Sequence, residues 1–88
     1  MSYRVTLSET AVRQLRKLEK ADRDRIVRAL RALEEDPFRP RSKADIRVLE
    51  GTDPRKCRLR IGFYRAVYAV VGSDAKVIEV FARGRGYR

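Results

Sequence analysis

The sequence predicts an α+β fold, with a short N-terminal strand, a helical hairpin and then a mostly antiparallel sheet of three to four strands. Two observations predict it. Apolar residues recur at helical spacing between residues 11 and 33, and they alternate with polar residues from residue 56 onwards. Strands that follow two helices in this way are typical of a sheet with its helices on one side. A chain of 88 residues has room for one core, so we expect a single domain spanning residues 1–88.

The N-terminal half is predicted to hold the first strand and both helices. Apolar and polar residues alternate between residues 3 and 7, which indicates a strand with one buried face. Ser8 is well placed to cap the first helix, and a break at residues 19–22 separates the two helices. The second helix is expected to end at Asp36-Pro37, because the residue before a proline disfavours the helical conformation.

The C-terminal half is predicted to form the rest of the sheet. Gly62 and Gly72 interrupt stretches rich in β-branched and aromatic residues, so they predict turns between strands. The expected strands are residues 46–49, 56–61, 64–71 and 77–82.

Composition limits the classes of function open to the chain. It has 22 Lys and Arg against 12 Asp and Glu, a formal net charge of +10, which favours polyanionic partners such as nucleic acid. Histidine is absent, and with it the usual acid/base group at neutral pH. Cys57 is the one cysteine, so no disulfide can form within the chain. We find neither a metal motif nor a pair of catalytic acids, and we expect no cofactor.

The sequence carries neither a signal peptide nor a membrane span. Its first residues alternate between polar and apolar, and no stretch approaches the roughly 18 apolar residues that a span needs. We therefore expect a cytoplasmic protein with no membrane partner.

The positive charge is concentrated in the sheet half. Residues 55–88 carry nine basic and two acidic side chains. Alternation places Lys56, Arg58 and Arg60 on one face of a strand, opposite an apolar face that we expect to meet the helices. Like charges side by side on a strand repel, which costs stability unless an anion relieves them. The basic face is thus a candidate phosphate-binding surface, although a charged strand face can also be simply solvated.

Residues 58–68 read RLRIGFYRAVY, which is similar to the R-x-R-x-G-x-Y-R-x-x-Y core of the RelE/ParE toxin superfamily. The resemblance runs along nearly the whole chain, and includes residues 3–5, 11–18 and the leucine-x-glycine step at 49–51. It implies a compact sheet with a helical hairpin on one side and the working surface on the other. RelE-like members cut messenger RNA in the ribosomal A site, whereas ParE-like members inhibit DNA gyrase. Both kinds are normally silenced by an antitoxin encoded alongside.

The resemblance also implies site residues. Lys56 and Arg58 match two basic positions of the RelE-like nucleases, and Arg65 matches the arginine of their Y-R pair. The ending at residues 83–86 reads RGRG where G-H-R is commoner, so two arginines compete for one position. The predicted catalytic residues are Lys56, Arg58, Arg65, Arg83, Arg85 and Tyr87. The predicted RNA-binding residues are Arg55, Arg60 and Arg88.

A cleavage mechanism without histidine can be written for these residues. Like-charge repulsion favours the neutral amine of a lysine, so Lys56 is the candidate base for the 2′-hydroxyl. Arg65, with Arg83 or Arg85, would clamp the phosphate, and Arg58 would share that work or assist the leaving oxygen. Tyr87 would stack on a base or orient the 2′-hydroxyl.

The sequence therefore favours a ribosome-dependent messenger RNA endonuclease of a type II toxin–antitoxin system. Its expected partners are a cognate antitoxin, the ribosomal A site and messenger RNA, with operator DNA as a candidate ligand of the toxin–antitoxin complex. Two alternatives stay open: a ParE-like inhibitor of DNA gyrase, and a catalytically silent relative that binds only an antitoxin or nucleic acid.

Overall fold

A computed structural model describes residues 2–49, 51 and 55–83. In this part of the chain a strand and two helices precede four further strands, and a short 3₁₀ turn follows the second helix. The elements are β1 (Arg4–Leu7), α1 (Glu9–Arg16), α2 (Lys20–Arg31), the 3₁₀ turn (Ala32–Glu34), β2 (Asp45–Leu49), β3 (Lys56–Ile61), β4 (Tyr64–Val71) and β5 (Asp74–Ala82). The predicted order of elements is confirmed.

The five strands form one sheet in the order β1-β5-β4-β3-β2. The strands from β2 to β5 pair antiparallel with their sequence neighbours, and β1 adds to the edge of β5 in parallel. Gly62 and Gly72 have φ values of +56° and +58°, and each is the first residue of a two-residue turn. Such turns need a positive φ at that position and match the twist of paired strands, which is why glycine is found there. The α+β prediction is confirmed.

Several boundaries differ from the sequence prediction. α2 begins at Lys20 and ends at Arg31, and the 3₁₀ turn carries the chain on towards Asp36-Pro37. β5 begins at Asp74, three residues earlier than predicted, because its first residues pair with β4 on one side and with β1 on the other. Tertiary pairing has thus converted a segment with turn-forming composition into a strand.

Ser8 joins the sheet to the first helix. Its hydroxyl accepts a hydrogen bond from the amide of Ala11 at 3.0 Å, which is the predicted cap of α1. The same hydroxyl donates to the carbonyl of Ile78 at 2.6 Å, so the cap also fixes α1 against β5. Among the described residues no helix is long and apolar enough to cross a membrane.

The core lies between the helices and the inner face of the sheet. α1 packs on β5 and α2 packs on β3, so the helices cover this one face. The largest side chains that are fully buried there are Ile26, Leu33, Leu59, Tyr68 and Val77. Because the helices lie on one side, no described element covers the opposite face of the sheet.

Tyr68→Phe should lower the stability of the fold. Tyr68 is fully buried, and its hydroxyl donates to the carbonyl of Pro37 at 2.6 Å, which ties the loop after the 3₁₀ turn to β4. Removing the hydroxyl leaves that carbonyl without this donor, so we expect a loss of about 1–2 kcal/mol in the free energy of unfolding. Urea denaturation with an unchanged m-value measures it. Tyr3→Phe is the control, since Tyr3 contacts Phe38 through its ring; equal losses in both variants would contradict the prediction.

Candidate nucleic-acid interface

The uncovered face of the sheet gathers a set of basic side chains from β2 to β5, beside Arg4 of β1, which forms an ion pair with Asp74 at 3.1 Å. Residues directly opposite each other in paired strands point to the same face, so the strand register shows which side chains lie together. We call this set the open basic face: Arg47 of β2, Lys56, Arg58 and Arg60 of β3, Arg65 of β4 and Lys76 of β5. The predicted separation of a basic face from an apolar face in β3 is confirmed, because Cys57, Leu59 and Ile61 are all buried in the core.

Two pairs of arginines face each other across this surface. Arg60 lies opposite Arg65 on β4, and Arg58 lies opposite Arg47 on β2. Directly opposed residues in antiparallel strands have their Cβ atoms about 4.5–5.5 Å apart, a distance at which like charges destabilise the pairing. The arrangement favours an anion that spans both pairs.

The guanidinium of Arg58 is partly buried on the open basic face. Its Nε atom is buried, and none of the described residues accepts a hydrogen bond from it. Within the described residues, neither Arg58 nor Arg60 has a carboxylate within ion-pair distance. A buried donor without a partner costs free energy, and a bound phosphate oxygen is an acceptor that would relieve it.

Three further predicted residues can be placed. Lys56 and Arg65 are both half-buried on the open basic face. Arg83 follows β5 and its amide donates to the carbonyl of Phe63 at 2.7 Å, so the end of β5 meets the turn between β3 and β4. This places Arg83 at the same end of the sheet as the Arg60–Arg65 pair.

Arg55, whose RNA-binding role stays a prediction, contacts the loop after the helices. Its guanidinium lies 5.8 Å from the centre of the Phe38 ring, and its carbonyl accepts from the amide of Val70. These contacts direct it towards the loop after the helices and away from the open basic face. Arg85, Tyr87 and Arg88 lie outside the described residues, and their roles stay predictions.

The sequence did not single out Arg47 and Lys76 as site residues. Arg47 belongs to the open basic face because its neighbour Ile46 is buried, and Lys76 because Ala75 and Val77 are buried. Their alternation with apolar residues was a usable signal, but it depends on the register of β2 and on the true start of β5. Three acidic side chains also reach this face, namely Asp45, Asp74 and Glu79.

The tyrosines near the site are structural. Tyr64 donates its hydroxyl to Asp22 at 3.0 Å, and this hydrogen bond raises the pKa of Tyr64. Burial raises the pKa of Tyr68 well above its usual range. Both groups therefore hold their protons at neutral pH and serve to join β4 to the helical layer.

Cys57 should be inert as a nucleophile. It is fully buried in the core, and burial raises the pKa of its thiol, so the reactive thiolate is disfavoured. We expect a thiol reagent to label the folded protein only as fast as it unfolds, and to label it at once in denaturant. Rapid labelling of the folded chain, at a rate independent of its stability, would contradict this assignment.

The sequence was compared with protein-family models and with curated protein sequences. A family model described as "ParE toxin of type II toxin-antitoxin system, parDE" matches residues 5–87. No curated protein sequence matches significantly.

Three solved structures share the fold. The chain is 36% identical to one in the archaeal RelE–RelB complex from Pyrococcus horikoshii, with a TM-score of 0.81, and the match covers 97% of this chain and 99% of that one. It is 27% identical to a mutant of the Escherichia coli toxin RelE in the free state, with a TM-score of 0.74 and coverage of 98% and 88%. It is 26% identical to a chain of the intact E. coli RelBE complex, with a TM-score of 0.64 and coverage of 96% and 100%.

Proposed function

This chain belongs to the ParE toxin family within the RelE/ParE superfamily of type II toxin–antitoxin systems, and from that premise we propose that it cuts messenger RNA on the ribosome. The observation that carries the proposal is the Arg60–Arg65 pair, with Arg58 and Lys56 beside it on the uncovered side of the sheet. Solved RelE toxins with 36% and 27% identity share the fold, which favours the RelE type of activity.

The proposed chemistry uses cations in place of histidines. RNA cleavage needs the 2′-hydroxyl activated, the phosphorane stabilised and the leaving 5′-oxygen protonated. In our proposal Lys56 takes the proton of the 2′-hydroxyl, and Arg65 binds the phosphate oxygens that gain negative charge. The buried Nε of Arg58, from which no described residue accepts a hydrogen bond, supports a second phosphate contact from the same face. Arg58 would also donate a hydrogen bond to the leaving 5′-oxygen, which takes its proton from water as the P–O5′ bond breaks. Arg83 or Arg85 would complete the clamp, and Tyr87 would orient the substrate.

The ribosome would supply geometry that the open basic face lacks. Among the described residues, the face is an open sheet surface that no helix covers, so these residues alone do not hold a flexible RNA strand in line for attack. Correct alignment of reacting groups contributes a large share of catalysis, so a substrate positioned by the ribosome would be cut much faster than free RNA.

A second candidate function is inhibition of DNA gyrase, and the description of the matching family model as ParE favours it. In that case the open basic face would bind a partner without cleaving RNA. A silent relative, which binds only an antitoxin or nucleic acid, is the third candidate.

Two assays with the purified chain separate these candidates. One measures synthesis of a reporter protein in a translating extract, and the other measures supercoiling of relaxed plasmid by gyrase. The nuclease proposal expects translation to stop at concentrations that leave supercoiling unchanged. If the chain blocks supercoiling but not translation, gyrase inhibition is favoured over the nuclease proposal. If it affects neither, the silent relative is favoured.

We propose that a cognate antitoxin is the resting partner. Solved relatives are RelE toxins in complex with RelB. With a net charge of +10, the chain suits an acidic or amphipathic segment that combines apolar burial with charge pairing. The product of the neighbouring gene, mixed with the chain, should form a stable complex at micromolar concentration and block translation arrest. A failure to associate would contradict this part of the proposal.

A further inference from the structure

We propose that Phe63, at the tip of the turn between β3 and β4, is a stacking platform for a base of single-stranded RNA. This inference rests on the proposed function, because it assumes that RNA binds the open basic face. Among the large hydrophobic side chains Phe63 is the most exposed in the described residues, with 59% of its surface accessible. Neither the fold nor the turn requires it, because the turn geometry depends on Gly62, whose φ is positive.

The Phe63 ring is held in place on one side. It packs edge-to-face against the ring of Tyr64, with centroids 5.8 Å apart and an interplanar angle of 85°. Tyr64 is itself fixed by the hydrogen bond from its hydroxyl to Asp22 of α2. The Phe63 ring is therefore supported by an anchored neighbour while more than half of its surface faces solvent, and little motional freedom is lost when a base stacks on it.

Arginines from α2, β3, β4 and the end of β5 lie near this tip. A Cβ atom added to Gly62 would lie only 2.7 Å from Nη2 of Arg25, so the Arg25 guanidinium of α2 lies directly against the turn. The amide of Arg83, after β5, donates to the carbonyl of Phe63 at 2.7 Å. The Arg60–Arg65 pair lies just below the turn on the open basic face. An exposed aromatic ring among cations is the composition of surfaces that bind single-stranded nucleic acid by stacking.

The position of Phe63 suits a role in placing the substrate. It precedes Arg65 by two residues, a distance of about 7 Å along an extended chain. A base stacked on Phe63 would thus belong to a nucleotide close to the phosphate bound by Arg65. Stacking at this point would fix the position of the strand along the open basic face without contact to the reacting atoms. Phe63 is therefore a substrate-positioning residue.

The absence of tryptophan from the chain allows a direct test. Phe63→Trp introduces a single tryptophan at the tip, and its fluorescence should be quenched when a short single-stranded oligoadenylate binds in low salt. Val71→Trp is the matched control: Val71 is 45% exposed and precedes the turn between β4 and β5, at the opposite end of β4. Quenching confined to the Phe63 position supports the proposal. Equal quenching at both positions, or none at Phe63, would overturn it.

Affinity gives an independent readout. Phe63→Ala should weaken binding of the same oligonucleotide roughly 5- to 100-fold, the range expected for one lost base–aromatic contact, while Phe63→Tyr should stay within about twofold of the wild type. Salt dependence should keep its slope, because no charge is removed. Unchanged affinity in Phe63→Ala would refute the stacking role, as would a loss confined to antitoxin binding, which would make the tip a protein contact.

These binding measurements separate the inference from the proposed activity. Quenching at Phe63 in a protein that cuts no message would keep the stacking platform and reject the nuclease. If the wild-type protein cuts message on the ribosome, and the Phe63→Ala variant binds RNA with wild-type affinity and cuts at the wild-type rate, the nuclease proposal is kept and the stacking platform is rejected.

Discussion

Arg65→Ala is expected to reduce cleavage of ribosome-bound message by about 10²- to 10³-fold, the loss seen when one group that stabilises transition-state charge is removed. Arg65 lies opposite Arg60 on the open basic face, close to the turn between β3 and β4, where a phosphate would contact both guanidinium groups. Single-turnover cutting on ribosomes programmed with a defined message measures the rate. Arg65→Lys should recover only part of it, because an ammonium group keeps the charge and loses the bidentate contact.

Arg28→Ala provides the matched control for this loss. Arg28 is exposed on α2, in the helical layer, so its removal changes the net charge equally without touching the open basic face. We expect it to cut at nearly the wild-type rate. Equal losses in the two variants would mean that overall charge, and not this face, determines the activity.

Arg58→Met is expected to stabilise the fold and to impair cleavage together. The Nε atom of Arg58 is buried without a partner among the described residues, and the side chain lies opposite Arg47. Methionine fills a similar space with no unpaired donor. The free energy of unfolding should therefore rise by about 1 kcal/mol in the absence of RNA, since an unsatisfied buried donor costs roughly that much. Chemical denaturation measures the gain, and the ribosomal cleavage assay measures the loss.

Arg47→Met isolates the origin of that gain. It removes the same repulsion between Arg47 and Arg58, but Arg47 is exposed, so water can hydrogen-bond to its guanidinium. We expect Arg58→Met to stabilise the protein more than Arg47→Met does. The opposite order, or a less stable Arg58→Met variant, would show that Arg58 is part of the fold and is not held in place for a ligand.

The parts of the fold that the sequence predicted are those with a strict local pattern. β3 and β4 were predicted at the bounds observed, because every second residue of β3 is charged and β4 is rich in β-branched and aromatic residues. Ser8 was predicted as a cap because a hydroxyl before a helical stripe has few other roles at that position.

The features of the fold that the sequence did not predict depend on pairing between strands that are far apart in the sequence. Val67 pairs with Glu79 and Tyr68 with Val77, so β5 holds Ile78 as an extra residue. This irregularity places Val77 and Val80 in the core together and turns Glu79 to the open basic face, an outcome that simple alternation cannot give. Likewise, the pairing of Arg47 with Arg58 depends on how β2 and β3 align, which no local pattern encodes.

The sequence predicted the main basic residues of the candidate site but not all of its members. Lys56, Arg58, Arg60 and Arg65 were named from the sequence, and the structure brings them to one face. The exposed tip at Phe63 was not anticipated, because an aromatic residue in a strand-rich segment ordinarily indicates a core position.

Primer extension on a message in a translating extract, with ribosomes present or removed, shows whether the chain cuts RNA on the ribosome. We expect cuts that appear only with ribosomes, that disappear in Arg65→Ala and that persist in Arg28→Ala. Uncut message under both conditions would contradict the nuclease proposal, as would wild-type cutting by Lys56→Ala, Arg65→Ala and Tyr87→Phe alike; the open basic face would then be a binding surface without catalysis.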